Sequence, residues 1–252
     1  MIKRKPRGRI GYPIFLLGLF MLIVAIRYSH NVSALIGIAL IFWGALLSYI
    51  KPIRFIKKDL LDSTIIDPLK YIDKLLNELE FKGTPIYIPF KTQKGIKSAT
   101  IFIPRSDSSR LPEYEELLTD KIIMNNPIGI KMTPPGLGIY RLIENELKTD
   151  FSSVKFNYIE NNLEKTLVDG LEIVKEFKIQ YNNLIVQVEL RETIFDEFSE
   201  DLEDLSILRK IGDPLISALA CIFTISADSP VHIEEIKRES NQKIIHILYK
   251  IE

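Results

Sequence analysis

Two uncharged apolar runs near the N-terminus, residues 10–26 and 32–50, are joined by only five residues, and they constrain this chain more than any other feature. The first, IGYPIFLLGLFMLIVAI, holds eleven Leu, Ile, Val or Phe side chains. As a helix it would extend about 25 Å, at the short end of a bilayer core. Those eleven side chains alone favour insertion by roughly 3–7 kcal/mol. The second, VSALIGIALIFWGALLSYI, is equally free of charge, with Trp43 and Tyr49 in its second half, where interfacial aromatics gather. So short a link can only turn the chain back, which predicts a helical hairpin: a two-span anchor over residues 1–58. A cleaved signal peptide fits less well, because no small-residue cleavage site follows the first run and Arg27 interrupts where one would stand.

Charge sets the orientation. Ten of the 33 basic residues, and none of the 33 acidic ones, lie in residues 1–58. Lys3, Arg4, Lys5, Arg7 and Arg9 precede the first run, Lys51, Arg54, Lys57 and Lys58 follow the second, and Arg27 alone marks the turn. Positive charge is retained in the cytoplasm, so a multi-pass protein of the cell membrane with both termini cytoplasmic is expected. The same flanks could hold anionic lipid head groups. The rest of the chain keeps 23 basic against 33 acidic side chains, and with no aromatic-basic platform it is unsuited to nucleic acid. A single cysteine, Cys221, excludes an intramolecular disulfide and, inside an apolar run, reads as a buried structural thiol.

Residues 59–252 read as one soluble α+β domain. Helical spacing of Ile65, Ile66, Leu69, Ile72, Leu75, Leu76 and Leu79 predicts an amphipathic helix over 59–81, with Ser63 or Thr64 able to cap ahead of Pro68. Strands follow at 84–90 and 97–103 around a Gln93-Lys94-Gly95 turn, and 104–112 is a surface loop. Helices are predicted at 137–147 and 157–174, then a hairpin of 175–181 and 184–191 across Asn182-Asn183. Gly212-Asp213-Pro214 signals the start of a buried helix over 215–226, Asp213 as N-cap and Pro214 in the first turn. A last hairpin joins 231–237 to 244–251 near Ser240–Asn241. The two-helices-then-hairpin pattern thus occurs in 137–191 and again in about 201–252. Short turns join only antiparallel strands, so helices on one face of an antiparallel sheet are expected.

Chemistry is sparsely signalled. No zinc-protease, nucleophile-elbow or phosphate-loop motif occurs, and no cofactor or metal is called for. Pro134-Pro135-Gly136-Leu137-Gly138 opens a helix whose first N–H groups could hold an anion, with Arg141 one turn along; a plain turn and cap is the alternative. Glu144 and Glu146 on that helix could supply a carboxylate-based site, or be surface residues. His232 and His246 lie on opposite strands of the last hairpin, offset by about three residues, and His30 in the interhelical turn. The acidic run Asp196, Glu197, Glu200, Asp201, Glu203, Asp204 reads as a solvated face, with a basic partner or a weak divalent-cation contact as the alternative.

Met132-Thr133-Pro134-Pro135-Gly136-Leu137-Gly138, continuing through Arg141-Leu142-Ile143-Glu144, and Gly212 through Cys221 resemble segments of uncharacterised archaeal membrane-anchored proteins. That resemblance implies a short transmembrane pair ahead of one cytoplasmic domain, and brings no activity or catalytic residue. The apolar helix and hairpin at the chain's end are similar in layout to the small-ligand-binding V4R domain and its vesicle-tethering relatives, without the cysteines typical of many V4R domains.

The resulting expectation is a membrane-anchored interaction or sensory domain, more a binding module than an enzyme, that takes a protein partner or small apolar ligand beside the lipid bilayer. A membrane-bound enzyme built on carboxylates such as Glu144 is the rival. A subunit of a membrane complex is a third reading, with Ser33, Gly37 and Gly44 as candidate exposed small residues on the hairpin. A deep polar pocket joining Glu144 to Arg141 would favour the enzyme, and a flat apolar patch the binding module.

Overall fold

A computed structural model describes residues 11–49, 58–91, 97–107, 110–196, 205–239 and 243–252. The basic flanks up to Arg9 and from Lys51 to Lys57, the Gln93-Lys94-Gly95 turn, the acidic residues Glu197 to Asp204 and the Ser240–Asn241 turn lie outside them. Backbone contacts divide the chain into two compact units, Met1–Lys57 and Lys58–Glu252.

In the first unit, α1 (Gly11–Tyr28) and α2 (Asn31–Tyr49) are both long and apolar enough to cross a membrane. Arg27 belongs to the last turn of α1, so the connection shrinks to Ser29-His30. Ser29 takes a left-handed φ of 54°, and His30 N–H returns to Ala25 O at 3.0 Å, which closes the helix end. Small residues recur every seven positions on the contact seam: Gly11, Gly18 and Ala25 on α1, Gly37 and Gly44 on α2. They let the backbones touch, since a Cβ on Gly18 would lie 2.7 Å from Ile41 N and one on Gly44 2.4 Å from Phe15 N. Gly37 and Gly44, expected as an exposed docking face, are instead buried against α1.

The second unit is an eight-stranded, fully antiparallel sheet in the order β3-β4-β2-β1-β7-β8-β6-β5. The strands are β1 (Ile86–Lys91), β2 (Lys97–Pro104), β3 (Ile123–Asn125), β4 (Ile128–Met132), β5 (Val174–Asn182), β6 (Ile185–Thr193), β7 (Val231–Glu239) and β8 (Ile244–Ile251). The α+β expectation therefore holds, with the three expected hairpins in place. In β5–β6 the period of two sorts side chains as anticipated. Glu176 faces Arg191 and Lys178 faces Glu189 on the solvent side, whereas Phe177 faces Leu190 on the core side. At the turn, Asn183 takes the positive φ of 55° that asparagine tolerates.

Helices α3 (Lys58–Glu78), α5 (Leu137–Leu147), α6 (Phe156–Lys165) and α8 (Pro214–Ala227) contribute to the main core, where Tyr87, Ile101, Ile247 and Tyr249 of the sheet meet Leu76, Ile143, Leu163 and Phe223. The apolar α8 sits at its centre, with Leu215 to Ile225 all buried. Its start follows the expected logic: the buried Asp213 carboxylate accepts from Leu215 N (2.8 Å) and Ile216 N (2.9 Å), and Gly212 adopts φ +79°. Tyr249 Oη donates to Ile216 O and Tyr87 Oη to Ile211 O, each at 3.0 Å. Burial pushes both phenols, and the Cys221 thiol, well above their ordinary pKa values.

Four expectations shift. The first helix starts at Lys58 and runs through Pro68, so Ser63 and Thr64 lie inside it rather than at its cap. The helix expected over 157–174 ends as a wide π turn, Thr166–Gly170, from which Val174 enters β5. Among the described residues, the helix expected ahead of α8 is the single turn α7 (Leu208–Ile211). Finally, α4 (Tyr114–Leu117), β3 and β4 were not anticipated. Of these, α4 packs on the sheet's other face, where its Leu117 joins Met124 of β3 with Ile86, Ile88 and Phe102 in a second small core.

Candidate functional site

The two-sided packing at the β3–β4 end leaves an open groove of about 950 Å³. Ile72, Leu75 and Leu76 of α3 form one wall, and Leu137, Tyr140, Arg141 and Glu144 of α5 form another. Its floor is Lys97–Thr100 of β2 with Ile130–Met132 of β4, and the segment 117–122 makes the remaining side. Lys131 and Met132 pair with β2 beyond the last residue that β4 shares with β3. About half of the lining residues are aliphatic, and Leu75 and Ile122 are among the exposed large hydrophobic residues of the chain.

Of the residues singled out from the sequence, Leu137, Arg141 and Glu144 line this groove and the two glycines do not. Gly136 is buried against α8. Its N–H donates to Ser217 Oγ at 3.1 Å, and a Cβ there would meet Ala218 N at 2.1 Å and Pro214 O at 2.4 Å. Leu137 N–H donates to Pro134 O at 3.1 Å. The first two donors of the Pro-Pro-Gly turn are thus used within the protein. Gly138 is exposed, with open space where its Cβ would be.

Glu144 is an organised carboxylate. Its Oε1 accepts from Tyr140 Oη at 2.5 Å and from Phe151 N at 3.3 Å, which ties α5 to the turn after it. Burial first, and the Glu144 carboxylate second, hold the Tyr140 phenol far above its ordinary value. Glu146 is exposed and outside the groove lining. The cations that sequence reasoning missed are Lys97 and Lys131. Lys131 Nζ donates to Leu117 O (3.0 Å) and to Thr119 O, and Lys97 Nζ lies 3.2 Å from Asp228 Oδ1. The signal for Lys131 was the short alternating run Ile128 to Met132, legible only once that run is read as a strand.

The histidines stay apart. His232 pairs across the strands with Lys250 and contacts Glu252 Oε1 at 2.6 Å, whereas His246 pairs with Lys237 and lies between Glu189 and Glu239. Their offset along β7 is larger than the three residues expected from the turn. Asp196, at the start of the acidic run, accepts from Thr193 N (3.0 Å) and Thr193 Oγ1 (2.8 Å) as a local turn. Among the described residues, no three His, Cys, Asp or Glu side chains converge as a metal site would require.

A family model described as a domain of unknown function (DUF7982) matches residues 2–249. No curated protein and no solved structure matches the chain.

Proposed function

We propose, for a chain that belongs to the DUF7982 family of domains of unknown function, that it is a membrane-anchored binding or sensory domain whose ligand site is the groove between α3, α5 and the β2–β4 floor. The observation that carries this reading is the groove itself. Its volume of about 950 Å³ falls within the ~300–1,000 Å³ usual for ligand sites, and its exposed lining is apolar over most of its area, with polar and charged side chains placed around it. A concavity of this kind suits a small apolar molecule better than a flat protein contact. For an enzyme, Glu144 would have to act as acid or base, but its carboxylate already receives two donors and supports a positioning role instead.

The anchor is α1 and α2 crossing the cell membrane as a hairpin, with both chain ends and the binding domain in the cytoplasm. Nine of the ten basic residues of 1–58 flank the pair and Arg27 alone lies near its turn, which supports that orientation. The likeness to archaeal membrane-anchored proteins supports the same layout. The likeness of α8 and the β7–β8 hairpin to V4R domains, at the level of fold analogy, supports small-ligand binding.

The test extracts small molecules from purified full-length protein and from Leu75→Trp, which fills one wall of the groove. An apolar or amphipathic species retained at near-stoichiometric amount by the natural chain and lost from the variant is the expected result. No such species, or equal retention by both, would overturn the reading.

A further inference from the structure

We infer that the occupant of the groove is a single-chain anionic amphiphile drawn from the bilayer, its hydrocarbon chain against Leu75, Leu76, Met132 and Leu137 and its charged head at Arg141. This rests on the reading of the groove as the ligand site and adds the ligand's chemical class.

The argument is one of charge against an apolar lining. Three cations, Lys97, Lys131 and Arg141, and two carboxylates, Asp120 and Glu144, reach the groove. Glu144 is held by the neutral donors Tyr140 Oη and Phe151 N, and Lys131 by the neutral carbonyls of Leu117 and Thr119, so neither loses its charge to these partners. Three cations against two carboxylates leave the lining one positive charge in excess. Lys97 pairs with Asp228, whose side chain is 65% exposed and lies outside the lining, so solvent weakens that pair. Arg141 is exposed on α5 and has no ion-pair partner among the described residues. Its planar guanidinium matches a carboxylate or phosphate with two parallel hydrogen bonds, and it is carried one turn from Leu137, where an apolar chain would end. A neutral apolar guest would leave this positive excess at the edge of a hydrophobic site unanswered, and a cationic guest would be repelled by it.

The experiment uses the full-length chain in nanodiscs of zwitterionic lipid and three photoactivatable probes: a long-chain carboxylate bearing a diazirine on its chain, and the alcohol and amine of the same chain. Cross-links are mapped by peptide mass spectrometry, with thermal unfolding as the check that variants are folded. The carboxylate should label 72–76, 97–100 and 130–141 well above the other two probes. In Arg141→Glu, a change at an exposed position, that labelling should fall about tenfold, the equivalent of one charge-assisted hydrogen bond, and Arg141→Lys should recover part of it. Groove labelling that is equal for carboxylate, alcohol and amine would overturn the anionic class and leave the apolar site standing. Labelling by no probe would overturn both. Carboxylate labelling unchanged in Arg141→Glu would overturn the assignment of the head group to Arg141.

Discussion

Gly136 and Gly138, one residue apart at the start of α5, answer to opposite demands. The backbone of Gly136 touches α8, so a methyl group there must displace main chain at 2.1–2.4 Å, whereas the same methyl on Gly138 meets nothing within 4 Å. Gly136→Ala should destabilise the domain by about 1–3 kcal/mol through overpacking. Gly138→Ala should leave stability unchanged or raise it by up to about 1 kcal/mol, because a helical alanine replaces a helical glycine. Chemical unfolding of the two variants checks this, and equal effects would remove the close α5–α8 approach. As residues, both glycines were visible in the sequence as a helix-opening turn. What Gly136 touches was not, because its contacts, Pro214 and Ala218, lie far along the chain. Leu137, Arg141 and Glu144 are close neighbours on one stretch of helix and share the groove lining, yet nothing local told that Lys131 would join them.

Among the elements, α3 supplies one wall of the groove, Ile72, Leu75 and Leu76. Its apolar face is only partly covered: Leu76 is buried, Ile66, Leu69 and Ile72 are partly so, and Leu75 and Leu79 are about 40% exposed (41% and 43%). A polar clamp adds to it. The buried Asp73 accepts from Ile207 N at 2.8 Å and Ser206 N at 3.2 Å, and so holds α3 to the segment leading into α7. Removing that acceptor leaves both backbone donors, and the side-chain donors of Asn77 and Ser206, without it, at about 1–3 kcal/mol per buried donor. Asp73→Ala is therefore expected to speed amide hydrogen exchange in α3 while the protection of α8 stays as it was, a local rather than global opening. Unchanged exchange in α3 would show that apolar packing alone holds the helix. The helix itself was readable from its 3.6-residue period, but not Asp73, which looks like any charged residue of an amphipathic face. Strands β3 and β4 were missed for a related reason: each is short, Asn126-Pro127 separates them, and β4 joins the sheet through β2, distant in the chain.

For the whole molecule, the proposed orientation makes a direct prediction. His30→Cys, in the two-residue turn between α1 and α2, should react with a membrane-impermeant maleimide in intact cells. Glu160→Cys, exposed on α6, should react only after permeabilisation. The natural Cys221 is buried and its thiol is held protonated by burial, so it should contribute little background. The reverse labelling pattern would place the domain outside and sink the cytoplasmic assignment. By itself, the sequence determined what short-range physics can write: two apolar helices, the Asp213-Pro214 start of α8, and three hairpins, of which β5–β6 keeps its alternating faces in the sheet. Those features depend on neighbours within a turn of helix or across a tight turn, so their signal lies within a few residues. Only the tertiary structure decided the strand order, in which β1 lies between β2 and β7, and the covering of the second sheet face by Leu117 of α4. The groove belongs to that second class. Its walls come from α3, β2, β4 and α5, and packing between segments distant in the chain, which no local period records, is what brings an arginine, two lysines and a band of aliphatic side chains to one place.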